Sequence, residues 1–456
     1  MKIGIFYEHQ LPRPWEDDAE YRLLQNALEE AELADRLGID YFWEVEHHFL
    51  EEYSHSSAPE VFLGAVSQRT RNIRLGHGIV LMPPPFNHPV RVAERIATLD
   101  LVSSGRVEFG TGESSSEAEL GGFLIDPAQK RAMWEEGVKV ALRCMTETPF
   151  TGFSGKYVTL PPRNVVPKPL QKPHPPVWVA CSRRDTILMA ARMGIGALSF
   201  AFVDAAEAKK WVDDYYRILE TDATPIGDAV NANIACVTTF MCCPTEEEAL
   251  AKGLEGANFF GYSLAHYYIF GEHKPGKTNV WEEFLERRAQ AGYSPEAVRA
   301  AAEHSDRLGA KIVKEGREGL RGAIGTPEQV REYLRTYEEA GVDQLILVSQ
   351  AGKNRHEDIM ESLELFGKKV LPEFKERDEK YQEQKKKKLE PIIEKALARK
   401  PEDDHPPLPK EDYSFPAIPR AMLERSGSDA FFEFLEKIAE RTATGRIRDA
   451  SDLGIP

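Results

Sequence analysis

The chain contains few cysteines, and their arrangement is uninformative for chemistry. There are five in 456 residues, and no two of them form a C-x-x-C pair. An odd number without that spacing excludes the usual disulfide frameworks and zinc motifs, so we expect free thiols in a reducing compartment. The sequence also lacks any run of about 18 apolar residues, which excludes a membrane-spanning helix. The first residues, MKIGIFYEHQ, are strand-like and do not resemble a signal peptide, so we predict a cytoplasmic protein.

Positive charge is also in short supply. Lys and Arg number 58 against 74 Asp and Glu, which gives a formal net charge of −16. Nucleic-acid binding depends on a positive field, so this balance argues against a nucleic-acid partner. Hydrophobic residues make up 42% of the chain and charged residues 29%, the composition of a globular protein.

Strand-like and helix-like segments alternate along most of the chain. Each of eight predicted strands is followed by a helical segment, which is typical of a closed parallel (β/α)8 barrel, the TIM barrel. An open, doubly wound sheet is the alternative, but no G-x-G-x-x-G follows the first strand, which disfavours it. The predicted strands are 2–8, 41–46, 73–82, 106–112, 177–182, 196–203, 232–241 and 343–350.

Two segments exceed what this repeat needs. Residues 253–324, before the last unit, form a long insertion that we interpret as a lid or a substrate-binding flap. The aromatic cluster at its start is either ordinary packing or the wall of an apolar substrate cavity. From residue 377 the sequence becomes charged and then Pro-rich, with one amphipathic helix predicted at 428–443. We therefore divide the chain into a barrel domain, 1–376, and a C-terminal extension, 377–456.

Polar residues follow several of the predicted strands, where barrel enzymes carry their reacting groups. Glycines there let a planar ligand approach the backbone. Arginines at a helix N-terminus attract an anion. Together these features predict a flavin mononucleotide (FMN) site. The residues are Glu46, His47 and His48 after strand two, Gly78 and Ile79 in strand three, Gly110 and Thr111 in strand four, and Cys181, Ser182, Arg183 and Arg184 after strand five.

A metal site at Glu46, His47 and His48 is an alternative interpretation, since some barrel hydrolases use such ligands. Adjacent residues of a strand point to opposite faces, so both imidazoles would not easily reach one ion. We therefore predict no metal at these residues.

Four motifs carry a resemblance to a known family. They are EHHF (46–49), HPVRVAERIATLDLVSSGRVEFGTG (88–112), VWVACSRRDTILMAARMG (177–194) and GTPEQVREYLRTYEEAGVDQLIL (325–347). In order and spacing the chain resembles the luciferase-like flavin-dependent monooxygenases, which include bacterial luciferase. The resemblance implies a barrel that binds reduced FMN from a separate NAD(P)H-dependent reductase, and O2 that forms a flavin peroxide and oxidises an organic substrate. It also implies a homodimer formed through the second and third helices.

The resemblance further implies roles for individual residues. His47 would act beside the flavin as a general base or hydrogen-bond partner. It would do so as a neutral imidazole with a pKa of about 6.5. Glu46 and His48 would orient it or shape the pocket. The Gly78–Ile79 peptide would be cis, and Ser182, Arg183 and Arg184 would bind the phosphate. Luciferase has a reactive cysteine followed by an arginine where this chain has Gly112 and Glu113, which argues against light emission.

Other functions remain open on the sequence alone. The same family contains deazaflavin-dependent oxidoreductases that transfer hydride and do not use oxygen. A non-catalytic flavin-binding protein and a metal-dependent barrel hydrolase are further alternatives. In the monooxygenase interpretation, the aromatic cluster at 259–270 favours a small apolar substrate.

Overall fold

Eight parallel strands close into a barrel in the computed structural model, which describes residues 1–200, 203–289, 321–401, 405–415 and 440. Each strand pairs with the next along the chain, the sixth pairs with the seventh, and the eighth returns to the first, with Lys2 opposite Gln344. The predicted (β/α)8 barrel is therefore confirmed. The strands are Lys2–Tyr7, Tyr41–Glu44, Arg74–His77, Val107–Gly112, Val177–Cys181, Gly196–Ser199, Ile234–Cys242 and Gln344–Val348.

Helices between the strands form the outer layer of the barrel. Proline occupies the first turn of three of them, where its missing N–H costs no hydrogen bond. A capping box begins the helix Pro327–Glu339, in which the side chains of Thr326 and Gln329 each accept the backbone N–H of the other residue. No helix in the described ranges has both the length and the apolarity to cross a membrane. The helices are Ala19–Leu37, Pro59–Arg69, Pro89–Val102, Glu117–Gly122, Lys130–Thr146, Arg184–Arg192, Ala205–Asp222, Pro327–Glu339 and His356–Lys369.

Alternation along the strands divides the apolar side chains between two layers. Phe42 faces the helices, while its neighbour Trp43 fills the barrel interior against Trp178, with the two indole rings 5.5 Å apart at a steep angle. Trp43 needs the space that Gly76 leaves, since a Cβ at Gly76 would lie 2.2 Å from its ring. The interior is thus filled below the mouth, which leaves the strand ends for a ligand.

The third predicted strand, 73–82, is broken. It consists of Arg74–His77 and a separate short strand, Val80–Leu81, which pairs with the end of strand four. The intervening Gly78–Ile79 peptide was expected to be cis, and this prediction is wrong: in the described residues every cis peptide precedes a proline. The chain turns here in trans because Gly78 N–H donates to the Glu44 carbonyl at 2.6 Å and Gly110 leaves room for the His77 carbonyl.

The segment between strands seven and eight begins as predicted, with a long helix. Glu246–Ala265 continues into a π-helical turn, His266–Phe270, and a further helix, Val280–Ala289, follows. The remainder of the predicted insertion lies outside the described residues until Ala323–Gly325, an additional strand that pairs with the end of strand seven. We call residues 246–289 the lid segment.

A long helix, Leu371–Ala398, packs across the N-terminal end of the barrel, and the domain boundary predicted at residue 376 falls within it. Phe374 is buried, and Lys385 pairs with Asp343 at 2.6 Å at the base of strand eight. The neighbouring lysines, 386–388, are exposed, as expected of a solvated helix face. The terminal helix predicted at 428–443 falls almost wholly outside the described residues.

We predict that Gly110→Ala destabilises the barrel, whereas Gly64→Ala does not. A Cβ at Gly110 would lie 1.8 Å from the His77 carbonyl oxygen, so the backbone must move, at a cost of about 3 kcal/mol. Gly64 lies inside the helix Pro59–Arg69 with open space around its Cα, where alanine should add roughly 0.5–1 kcal/mol of stability. Urea denaturation measures both, and equal stability of the two variants would contradict this account of strand three.

Candidate functional site

A cavity of about 530 Å³ opens at the C-terminal ends of the strands. Its size lies within the range of roughly 300–1,000 Å³ that is usual for small-molecule sites. Strands one to six and the loops that follow them contribute side chains to it, and the lid segment covers one side. The cavity therefore lies at the mouth of the barrel, where the sequence predicted the site.

His47 lies between two buried carboxylates at one end of this cavity. Its Nδ1 is 3.0 Å from Glu119 Oε1, and its Nε2 is 3.4 Å from Glu8 Oε2. Tyr268 Oη, from the lid segment, lies 3.5 Å from Nδ1. The loop after strand two positions the ring, because His47 N–H donates to the Ser56 carbonyl at 2.8 Å.

The charge on His47 differs from the sequence-based expectation of a neutral imidazole. Burial by itself would lower the pKa of His47, but the neighbouring Glu8 and Glu119 carboxylates outweigh it and raise that pKa to about 9. At neutral pH the ring is therefore an imidazolium. It can donate hydrogen bonds or a proton, but it cannot accept a proton as a general base.

The two carboxylates beside His47 have different surroundings. Glu119 accepts hydrogen bonds from the His48 backbone N–H at 3.0 Å and the Ser114 hydroxyl at 2.5 Å; these bonds and the His47 charge lower the pKa of Glu119 despite its burial. Glu8 accepts a hydrogen bond from the Tyr53 hydroxyl at 2.9 Å through Oε1. Burial raises the pKa of Glu8 to about 7, and the opposing effects of His47 and Tyr53 are smaller.

His48 and Glu46, predicted to assist His47, lie outside the cavity lining. His48 Nε2 is 3.1 Å from Glu46 Oε1, and its ring stacks on Phe86. Glu46 accepts the backbone N–H of Leu81 at 2.8 Å, which fixes the short strand Val80–Leu81. Both histidines lie in the loop after strand two, so the strand alternation used in the sequence prediction does not apply to them. They have different partners, and Glu46 and His48 support the backbone around the cavity.

The residues predicted in strands three and four differ in their position relative to the cavity. Gly78 and Ile79 line the cavity, but Gly110 and Thr111 do not. The space above Gly110 is taken by the His77 carbonyl. The Thr111 hydroxyl donates to the Trp178 carbonyl at 2.8 Å, so it serves the packing between strands four and five.

A cationic cluster also lines the cavity, beside Glu113. Ser182 and Arg183 line it at the N-terminus of the helix Arg184–Arg192, together with Lys130 and Arg131. Arg131 forms a bidentate pair with Glu113, at 2.7 and 3.0 Å, so an anion there would meet a partly neutralised cluster.

Of two further residues predicted for the cofactor site, one lines the cavity and the other does not. Cys181 lines the cavity, and burial raises the pKa of its thiol to about 12, which keeps it protonated and unreactive. Arg184, by contrast, is exposed and pairs with Asp214 at 2.9 Å, so it lies outside the cavity lining.

The lid segment supplies much of the apolar wall. Phe260, Leu264, Tyr268 and Ile269 line the cavity, whereas Phe259 packs behind them against Trp281. The lid is attached to the loop that carries His47 through two carboxylates. Glu51 accepts the Gly276 N–H at 2.7 Å, and the buried Glu52 accepts the N–H groups of Val280 and Trp281.

Three residues of the site escaped the sequence analysis: Glu8, Tyr53 and Glu119. Glu8 directly follows strand one, so the strand-end rule that selected His47 could have selected it as well. Glu119 lies in a short helix after strand four, where no sequence pattern links it to His47. Tyr53 is an ordinary aromatic residue in sequence and gains a role only from its contact with Glu8.

The cavity matches the chemistry of a flavin mononucleotide in three respects. Apolar and aromatic side chains suit a planar ring system, and Gly78 allows its close approach. The cationic cluster suits a phosphate. Within the described residues, no group of three or more His, Cys, Asp or Glu side chains converges as metal ligands do. The residues present therefore fit a flavin-type cofactor.

Comparisons with known proteins agree with this geometry. The family model for luciferase-like monooxygenases matches residues 1–344. The oxygenase component of a flavin-dependent trigonelline monooxygenase from Acinetobacter baylyi is 24% identical over 384 residues, covering 82% of this chain and 96% of that protein.

Two solved structures share the fold. The monooxygenase RslO1 from Streptomyces bottropensis is 25% identical, with a TM-score of 0.63, and the match covers 82% of this chain and 100% of that one. An F420-dependent secondary alcohol dehydrogenase, 18% identical with a TM-score of 0.57, covers 81% of this chain and 98% of its own, which shows the shared fold alone. The family match and the barrel with its site at the strand ends establish that the chain belongs to the luciferase-like monooxygenases.

Proposed function

We propose that the protein is a flavin-dependent monooxygenase that uses reduced FMN and O2 to oxidise a small apolar substrate. The observation that carries the proposal is a cavity at the strand ends lined both by His47, whose Nδ1 is 3.0 Å from Glu119, and by a cationic cluster that includes Arg183. When bound, reduced FMN supplies the electrons with which O2 is activated toward the substrate. A separate NAD(P)H-dependent reductase would supply the reduced flavin, in keeping with a relative named as an oxygenase component.

In this proposal the cationic cluster binds the cofactor, and His47 acts beside its ring system. Ser182 and Arg183, with the N-terminal N–H groups of the following helix, would bind the FMN phosphate. His47 would donate a hydrogen bond toward negative charge that develops near the ring system, a role in which the positive charge is an advantage. Glu119 keeps the ring oriented and charged.

The lid segment would provide the substrate site. Phe260, Leu264 and Ile269 offer apolar surface, and no charged side chain of the lid segment lines the cavity. Closing this wall over the mouth excludes water, which strengthens the electrostatic interactions inside. The same wall supports an apolar substrate.

A homodimer through the second and third helices is part of the proposal. The second helix, Pro59–Arg69, exposes Val61, with 70% of its surface accessible. The third helix, Pro89–Val102, exposes Leu101 and Val102, with 43% and 50% accessible. Association of these faces would bury them.

A deazaflavin-dependent hydride transfer is the second candidate function. The fold is shared with an F420-dependent alcohol dehydrogenase, and F420 is a deazaflavin. The cationic cluster of the cavity would bind a phosphate of either cofactor. The two functions therefore differ in the ring system that is bound, a flavin or a deazaflavin.

The first test compares cofactors. We expect the protein to bind reduced FMN more tightly than reduced F420, and to consume O2 when a flavin reductase, NADH and an apolar substrate are present. Fluorescence titration and an oxygen electrode measure these, with aliphatic aldehydes, ketones and cyclic alkenes as the substrate panel. Preferential binding of F420, with hydride transfer and no oxygen uptake, would establish the second candidate instead.

The second test concerns the phosphate. Arg183→Ala should weaken FMN binding by about 10- to 100-fold, because a charged hydrogen bond is worth roughly 1.5–3 kcal/mol. Riboflavin, which lacks the phosphate, should bind the variant and the wild type equally. Arg184→Ala is the matched control, since Arg184 faces Asp214 outside the cavity and should leave both affinities unchanged. Equal losses for FMN and riboflavin would place the phosphate elsewhere.

The third test separates the adjacent histidines. His47→Gln should retain FMN binding but lower kcat about 10²-fold or more, because the positive charge beside the cavity is lost. His48→Gln should change kcat by less than about threefold, since His48 faces Glu46 and Phe86. Product formation under saturating flavin measures both. If the two variants lost activity equally, His47 would have no special role.

A further inference from the structure

Glu8 is a buried acid in the cavity wall whose hydrogen bonding is incomplete. Only 3% of its surface is accessible, and among the described residues its Oε2 has no hydrogen-bond partner, although His47 Nε2 lies 3.4 Å away. A buried polar atom without a partner costs free energy, so such atoms concentrate at functional sites. Glu8 lines the cavity, as His47 does.

The other acid of the pair is in the opposite situation. Glu119 accepts bonds from His47, His48 and Ser114, and its accessibility is 0%. If His47 gave up the proton on Nδ1, the buried carboxylate of Glu119 would lose one of its hydrogen-bond donors. Of the three groups, Glu8 is thus the one whose proton can leave with the least disturbance.

We propose that Glu8 carries the proton that the reaction consumes in this cavity, while His47 remains an imidazolium that positions it. This inference rests on the proposed function. Reducing one oxygen atom of O2 to water consumes two electrons and two protons. The reduced cofactor, bound as its anion, would supply both electrons and one of the protons, so one further proton must come from the protein. In the step assigned to Glu8, the O–H bond of its carboxylic acid breaks and an O–H bond forms on the oxygen that leaves as water. Solvent at the mouth then reprotonates the carboxylate.

Groups from several elements face Glu8 and set its acidity. His47 and Tyr53 lie on the loop after strand two, Glu44 at the end of strand two, and Glu119 on the short helix after strand four. Burial and the two acids raise the pKa of Glu8, whereas His47 and the Tyr53 hydroxyl lower it, with a result of about 7. The acid form is therefore present below about pH 7 and is lost above it.

The experiment combines a titration with a rate profile. In cofactor-free protein labelled with ¹³C at glutamate carboxyls, one carboxyl signal should titrate near pH 7, disappear in Glu8→Gln and persist in Glu119→Gln. With the reduced cofactor that supports turnover, wild-type kcat should fall about tenfold per pH unit above pH 7. Glu8→Gln should lower kcat about 10²-fold below pH 7 and abolish this dependence, while Glu8→Asp restores part of it.

A second variant distinguishes proton transfer from a structural role. Tyr53→Phe removes the hydrogen bond that lowers the pKa of Glu8, so both the carboxyl signal and the fall in kcat should move to higher pH. A purely structural Glu8 would leave the shape of the profile unchanged in Glu8→Gln, which would overturn the inference, as would a Glu8 signal titrating below pH 5. Absence of oxygen uptake by the wild type would overturn the proposed function and this inference with it, whereas oxygen uptake with an unchanged profile in Glu8→Gln would overturn the inference alone.

Discussion

Closure of the barrel is the constraint on which the site depends. Lys2 pairs with Gln344, so the first strand lies between the second and the eighth, and the strands end around one mouth. Glu8, His47 and Cys181 follow or end strands one, two and five, yet they line a single cavity. An open sheet would spread these strand ends along one edge, and Glu8 would meet His47 only because strands one and two are neighbours.

Burial makes the charges at this mouth informative. Two carboxylates and an imidazole in a low-dielectric environment are costly unless they are paired. Glu119 has three hydrogen-bond donors, whereas Oε2 of Glu8 has no hydrogen-bond partner among the described residues and lies 3.4 Å from His47 Nε2. The three ionisable groups therefore differ: the pKa of Glu119 is lowered, that of His47 is raised to about 9 and that of Glu8 is raised to about 7.

The sequence predicts the barrel well, because its strands and helices follow from local apolar periodicity. The site is predicted less completely. His47, Gly78, Ile79, Cys181, Ser182 and Arg183 line the cavity, and Glu46, His48, Gly110, Thr111 and Arg184 do not. Strand-end position alone does not tell which way a side chain turns: Gly110 is needed by the His77 carbonyl, and Arg184 faces Asp214. The partner of His47, Glu119, is 72 residues away, a contact that only the closed fold creates.

The attachment of the lid segment to the histidine loop has a consequence for ligand exchange. Glu51 and Glu52 follow His47 and His48 in the chain and hold the backbone of Gly276, Val280 and Trp281. Outward displacement of the lid at this point would pull on the stretch of backbone that carries the imidazolium. Opening of the lid for substrate entry or product release would then also displace His47 from its position in the cavity. The site would be competent for the reaction only while the lid segment is closed.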